Sequence, residues 1–318
     1  MYNTFLSVVA IIQHPGQFRL VAPYLQAVVR QLQRTASDYE IILVNNAQQA
    51  LPETDIHQLD EPVRRHLFLL KLASVTNKNN AIIAGLDRAN GDYALIFDLE
   101  LYQQSEYIHH LFEKSQEGFD MVYLRSPVGR KVGLGNRLFY KLFYRILRQY
   151  SPLRVDERAY DSRIISRRAL NSLLKLRENV RYLKAIYSIV GYQTTGLDLD
   201  QPLTEGGQEP FAERFKTSLV AISSFTTFLR SVLLWIFLAS SLFAAAVVIN
   251  ALRVYFYSKD LFGNPEQAVE GWTFLVVLIS VFFTFCFLTL YIMSVYLSNI
   301  YQEIKQRPLY IIESVKRF

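Results

Sequence analysis

Residues 79–108 read NNAIIAGLDRANGDYALIFDLELYQQSEYI. Residues 79–89 are expected to form a helix, and Asn90-Gly91 close it. Residues 93–97 (YALIF) are a buried strand, and Asp98-Leu99-Glu100 stand at its carboxyl end. Ser105 then reads as the N-cap of another helix, with Ile108 and Leu111 turned inward. The same rhythm runs outward from this unit. Residues 7–12 are a β-branched apolar run, 21–33 have helical spacing, and 39–44 (YEIILV) are a second strand. That strand ends in the polar loop Asn45-Asn46-Ala47-Gln48-Gln49, and further strands are expected at 67–72 and 121–124. Strands alternating with helices argue for a mostly parallel sheet covered on both faces. Ligands of such sheets bind beyond the carboxyl ends of the strands. The Asn45-Asn46 loop and the Asp98/Glu100 pair both fall there.

The last third of the chain is different. Residues 231–252 (SVLLWIFLASSLFAAAVVINAL) and 271–301 (GWTFLVVLISVFFTFCFLTLYIMSVYLSNIY) contain no charge. At ~1.5 Å per residue the first spans about 33 Å as a helix and the second more, enough for a hydrocarbon core about 30 Å thick. The expected organisation is a head over residues 1–210, a juxtamembrane helix over 211–230, a transmembrane helix pair over 231–301 and a cytoplasmic tail over 302–318. The connector 253–270 sets Arg253 and Lys259 against Asp260, Glu266 and Glu270, whereas the tail carries Lys305, Arg307, Lys316 and Arg317. Positive charge therefore favours a hairpin with both ends inside. The first residues, MYNTFLSVVAII, have no basic leader and read as a buried strand. The expectation is a multi-pass protein of the plasma membrane with a cytoplasmic head. Residues 134–150 (LGNRLFYKLFYRILRQY) form an amphipathic helix whose basic face is either solvated or laid on anionic lipid.

A net charge of +6 without a dense basic run suits lipid headgroups or phosphate substrates, not nucleic acid. One cysteine, Cys286, excludes an internal disulfide and a cysteine-based zinc site. The five histidines show no metal-ligand spacing, and nucleotide and hydrolase motifs of the GxGxxG, P-loop and GxSxG kinds are absent. Asp98 and Glu100, two apart at a strand end, can converge on Mg²⁺ or Mn²⁺, which favour carboxylate oxygen, although such a pair alone is more often a solvated turn. Asp161 and Arg163 in YDSRIISRRAL are a second charged pair, otherwise readable as a surface ion pair at a helix start.

Three stretches carry a family resemblance. NKNNAIIAGLDRANGDYALIFDLELYQQSEYI is similar to a motif N-x-G-x-x-x-A-x-x-x-G…A-x-G-D…D-A-D-L-Q-x-P-P-E-x-I. YDSRIISRRALNSLLKLRENVRYLKAIYSIVGYQ is similar to G-D-F-R-L-x-x-R…E-R-x-R-F…x-G-Y-R, and YLSNIYQEIKQRPLYIIESV is similar to G-E-Y-x-G-R-I-Y-x-E-x-K-x-R-P-x-Y. Over nearly its whole length the chain thus resembles the polyisoprenyl-phosphate glycosyltransferases, the dolichol-phosphate-mannose-synthase-like branch of glycosyltransferase family 2. The resemblance implies a GT-A head, Rossmann-like with a mostly parallel sheet, that moves a sugar from a nucleotide-sugar to a polyprenyl phosphate. By position it makes Asp98 and Glu100 the metal pair, and Asn45, Asn46 and Asp98 nucleotide-binding. It makes Asp161 and Arg163 catalytic, and Arg163 and Arg181 ligands of the acceptor phosphate. The implied partners are the nucleotide-sugar, the lipid, the membrane and further copies of the chain in a homo-oligomer, with no nucleic acid.

The chain also departs from the family pattern. Ile11-Ile12-Gln13-His14-Pro15 replaces P-x-Y-N-E, and Asn45-Asn46-Ala47-Gln48 replaces D-D-G-S. Glu100 replaces the second Asp of D-x-D, and Glu205-Gly206-Gly207-Gln208-Glu209 lacks the lysine of G-x-S-K-Y. A second expectation therefore stands beside the enzyme: a catalytically impaired relative acting as a binding or assembly subunit in lipid-linked glycan synthesis.

Overall fold

A computed structural model of the protein describes residues 2–47, 49–127, 141–143, 145–146, 148–150, 156, 158–176, 183–200, 228–257, 259, 262–263, 272–304 and 308–318. Strand β1 (Tyr2–Ile12) leads through a short 3-10 turn into helix α1 (Phe18–Thr35). Strand β2 (Ala36–Asn45), the short helices α2 (Glu53–His57) and α3 (Glu61–Arg64), strand β3 (Leu67–Leu72) and helix α4 (Lys78–Arg88) follow. Next come β4 (Tyr93–Ile96), a 3-10 turn over Leu99–Gln104, α5 (Tyr107–Gln116) and β5 (Met121–Arg125). The head continues with β6 (Ala159–Ser166), α6 (Arg167–Lys175), α7 (Leu183–Ile189) and β7 (Thr194–Asp198).

One sheet gathers the strands in the order β7-β5-β6-β4-β1-β2-β3, with β8 (Ile312–Arg317) at the outer edge beside β3. The pairs β1–β2, β1–β4, β2–β3 and β5–β7 are parallel, while β4–β6, β5–β6 and β3–β8 are antiparallel. The pleat of the central strands divides the core. On one face Leu6, Val8, Leu43 and Leu95 meet Leu25 and Val28 of α1 and Ile108 and Leu111 of α5. On the other, Val9, Ile42, Val44 and Ile96 meet Ile82, Ile83 and Leu86 of α4 and Leu170 and Leu173 of α6. Strands buried on both faces are apolar throughout, and each buried aliphatic side chain stabilises the head by roughly 1.5–3 kcal/mol.

Two close fits set the carboxyl end of the sheet. Gly85 lets α4 lie against β1 and β2, because a Cβ there would stand 2.3 Å from Val9 Cγ1 and 3.0 Å from Val44 Cγ2. The Tyr24 hydroxyl of α1 donates to the Phe97 carbonyl at 2.9 Å and pins the end of β4. Two local expectations shift. The N-cap of α5 is Glu106, and Ser105 is the C-cap of the preceding 3-10 turn, so the cap falls one residue later than Ser105. Asp161 and Arg163 lie in strand β6 rather than at a helix start.

Beyond the head stand helices α8 (Phe228–Tyr257) and α9 (Trp272–Ile304), packed against each other. At ~1.5 Å per residue they run about 45 and 50 Å. Within α9, Val281–Ser298 is long and apolar enough to cross a membrane; it is the one such window among the described residues. Trp235 and Leu242 of α8 and Phe287 and Leu297 of α9 are exposed. The chain then returns to the head: β8 pairs with β3 from Phe68↔Arg317 to Leu72↔Ile312. Part of the tail expected over 302–318 is therefore a strand of the head's sheet. Residues 134–140 and 211–227 lie outside the described residues; where described, 141–150 is helical, with Phe143 and Ile146 buried and Lys141, Arg145 and Arg148 exposed.

Candidate active site

Strand β6 runs antiparallel to β4 with Ile96 opposite Arg163. Continued by two residues, that register sets Asp98 opposite Asp161, which is why two acids 63 positions apart (161 − 98) meet at one strand end. Ser162 ties the join, since its Oγ accepts from the Asp98 amide and donates to Asp98 Oδ2, both at 3.2 Å. Between the acids lies a cation absent from the sequence-based site. Lys78 Nζ is 3.0 Å from Asp98 Oδ1 and 3.0 Å from Asp161 Oδ2.

All three side chains are partly buried, so their charges are weakly screened. Burial works against the Lys78 ammonium, but Asp98 and then Asp161 hold its pKa above the ordinary lysine value. Burial likewise disfavours the Asp161 carboxylate, yet Lys78, then Lys184, keep its pKa well below the usual carboxylate range. Lys184 of α7 donates to the Ala159 carbonyl at 2.6 Å.

Arg163 is 3% exposed. Its Nε donates to the Asp161 carbonyl at 3.1 Å and its Nη2 to the Tyr160 carbonyl at 2.8 Å. The guanidinium lies 3.7 Å from the centre of the Tyr187 ring. Arg163 thus shapes the backbone that carries Asp161, and no ion pair joins the two side chains. Glu100 lies on the 3-10 turn after Asp98, where its Oε1 accepts from Gln17 Nε2. The structure brings Asp98 together with Asp161 and Lys78, and sets Glu100 against Gln17.

The Asn45-Asn46 loop is turned inward. Asn46 Nδ2 donates to the Thr76 carbonyl at 2.7 Å and to Gln13 Oε1 at 3.2 Å, and its Oδ1 accepts from the Thr76 amide at 2.9 Å. A carboxylate at 46 could accept from Thr76 but could not donate to either oxygen. Asn45 Oδ1 accepts from the Ala47 amide at 3.0 Å, and its Nδ2 donates to the Gln49 carbonyl at 3.0 Å. The two amides therefore match partners that carboxylates would not. Thr76 Oγ1 and Asn80 Nδ2 in turn reach the Leu309 carbonyl, at 3.5 and 3.1 Å, so the segment after α9 touches both the loop before α4 and the first turn of the helix that carries Lys78. Gln13 Nε2 and Asn80 Oδ1 are buried here with no hydrogen-bond partner among the described residues. Arg181 and residues 205–209 lie outside the described residues.

Two carboxylates converging on one cationic point, at the ligand-binding end of an α/β sheet, have the donor chemistry of a divalent-cation site, and the lysine ammonium stands where such charge is needed. The pattern of Glycosyl transferase family 2 matches residues 18–174. The SfII prophage-derived bactoprenol glucosyl transferase of Shigella flexneri is 30% identical over 304 residues, covering 93% of this chain and 94% of that protein. The chain belongs to glycosyl transferase family 2. This family 2 glycosyltransferase is also 28% identical to the prophage bactoprenol glucosyl transferase homolog of Escherichia coli K12, over 93% of this chain and 95% of that one. The undecaprenyl-phosphate 4-deoxy-4-formamido-L-arabinose transferase of Photorhabdus laumondii is 22% identical, over 92% and 88%. The head is accordingly a GT-A-like α/β fold.

Lys78 is the site residue that the sequence reading misses. The available signal was its place: a lysine at the first position of a helix, beside the N-cap Asn77, sits at the positive end of the helix dipole. A cation there is unfavourable unless anions face it.

Proposed function

We propose that this glycosyltransferase moves a sugar from a nucleotide-sugar to a polyprenyl phosphate at the membrane surface. The observation that carries the reading is the convergence of Asp98 and Asp161 at the carboxyl end of the sheet, in a head joined to two long apolar helices. The relatives named for bactoprenol and for undecaprenyl phosphate differ in the sugar they carry and agree on a polyprenyl carrier.

The acceptor is already an anion, so the reaction needs little general-base help. Its difficulties are the departing nucleoside diphosphate and the approach of two anions. Asp98 and Asp161 would hold Mg²⁺ or Mn²⁺, with Glu100 available on the adjoining turn. Bound there, the ion would act as a Lewis acid on the diphosphate. Asp161 fixes the position of positive charge at the reacting centre. Arg163 is a positioning residue that holds the Tyr160–Asp161 backbone and adds a buried positive field beside it. Lys184 contributes to the same field. Asn45 and Asn46 shape the donor loop through their bonds to Ala47, Gln49 and Thr76. Arg181 is retained as a ligand of the acceptor phosphate. α8 and α9 form a two-span hairpin in the plasma membrane, so the lipid phosphate reaches the head from the cytoplasmic leaflet.

The test uses the full chain in membranes, undecaprenyl phosphate and a panel of labelled nucleotide-sugars, with Mn²⁺ or with EDTA. Label should enter the lipid phase with at least one donor, only with the metal, and not in Asp161→Asn. Lipid labelling that is equal in wild type and Asp161→Asn, or absent with every donor, would sink the proposal in favour of a binding or assembly subunit.

A further inference from the structure

Lys78 stands where the reading above sets a divalent ion. Its position is costly three times over. It lies at the first residue of α4, where the helix dipole disfavours positive charge. Its ammonium is partly buried, which disfavours any charge. Its four-carbon stem is held in one geometry, with the ammonium 3.0 Å from Asp98 just past β4 and 3.0 Å from Asp161 of β6. What offsets these costs is the acidic pair itself. Without a cation between them, Asp98 and Asp161 would repel across a poorly screened gap.

We propose that Lys78 is the resident cation of the donor site: it holds Asp98 and Asp161 apart from solvent and in register until a divalent ion takes its place, and it then turns to the donor's diphosphate. The proposal rests on the metal reading of Asp98 given above. A lysine suits the exchange because its ammonium is a compact charge on a flexible stem, whereas the flat arginine fork is slower to give up a bidentate partner. The neighbouring cations are tied to backbone: Arg163 to the Asp161 and Tyr160 carbonyls, Lys184 to the Ala159 carbonyl. Lys78 has only the two carboxylates as polar side-chain partners among the contacts described for its ammonium, so an ion that satisfies them releases it. No bond is made or broken in the exchange; one monovalent charge leaves the acids as a divalent charge arrives.

The experiment titrates Mn²⁺ alone into the full-length wild type, Lys78→Met and Lys78→Arg, reading bound ion by electron paramagnetic resonance and stability by thermal melting. Transfer is then measured at saturating Mn²⁺. Removing the competing ammonium should tighten Mn²⁺ binding in Lys78→Met by about tenfold, the worth of one charged contact. Metal-free Lys78→Met should melt below wild type, and Mn²⁺ should restore it. Turnover should nonetheless stay at least about tenfold down at saturating Mn²⁺, with a raised donor KM, because the diphosphate lacks its ammonium. Lys78→Arg keeps the charge, folds without metal and should bind Mn²⁺ no more tightly than wild type. Equal Mn²⁺ affinity in wild type and Lys78→Met overturns the exchange and leaves the metal reading standing. Full turnover restored by Mn²⁺ reduces Lys78 to a brace and also overturns it. No bound Mn²⁺ in any of the three proteins removes both readings.

Discussion

Asp161→Asn keeps the shape of the side chain and removes one of the two charges that face Lys78. Transfer should fall by about 100-fold or more and the donor KM should rise with it, since Asp161 shares with Asp98 the ion that would hold the donor's diphosphate. Steady-state rates at varied donor concentration check this. The same variant reports on acid stability. The folded-state pKa of Asp161 is depressed, so between the folded and unfolded values the unfolded chain binds more protons. Its stabilisation is present above an unfolded pKa of about 4 and is lost as pH falls through the lower folded value. The gap in melting temperature between wild type and Asp161→Asn should therefore be widest near neutrality and close below about pH 4. Asn46→Asp tests the inward-turned loop. It abolishes donation to the Thr76 carbonyl and to Gln13, and should cost roughly 1–3 kcal/mol in denaturant unfolding. If Asn46→Asp is neutral or stabilising, the clasp on Thr76 is not what selects an amide there.

At the scale of elements, the packing of α4 decides where Lys78 begins. Gly85→Ala drives a methyl into Val9 and Val44 across the helix–sheet contact, and should cost about 1–3 kcal/mol, read as a lowered melting temperature. An unchanged melting temperature would mean that α4 can lift off the sheet freely. β1 to β5 were legible because strands buried on both faces write themselves as apolar runs, as YEIILV and YALIF do. β6 was hidden, because AYDSRIIS opens with two charges that look like a surface pair until β4 is laid beside it. β8 was hidden for the opposite reason: IESVKR is charged because it is an edge strand with one side open, and edge strands carry charge to discourage further pairing. Asp98 and Asp161 could be found by motif spacing. Their meeting at Lys78 could not, since it depends on an antiparallel register and on the reach of a side chain from a third element.

For the whole molecule, α9 ends where the head's sheet resumes, and in the proposed hairpin the helical pair brings the chain back to the side from which it left. A cysteine introduced as Asn264→Cys, with Cys286→Ser to silence the native thiol, should be labelled from outside intact cells by an impermeant reagent. Gln306→Cys in the same background should not be. Labelling at 306 from outside would reverse the orientation, and protection of both sites would leave the pair lying on one side of the membrane.

The edge pairing of β8 with β3 has a consequence for how the protein is made. Lys71 and Glu313 touch at 2.8 Å across a separation of 242 residues. A ribosome finishes β3 long before it reaches β8, so throughout most of synthesis the growing sheet carries a bare, apolar rim. Contacts so distant along the chain form late, and open strand edges invite misassembly in the interval. In the proposed hairpin the rim is covered only when the two helices have been threaded and the nascent chain has come back. On that reading completion of the catalytic head is tied to insertion, and a molecule that never reaches the membrane keeps an exposed seam by which quality-control proteases could know it.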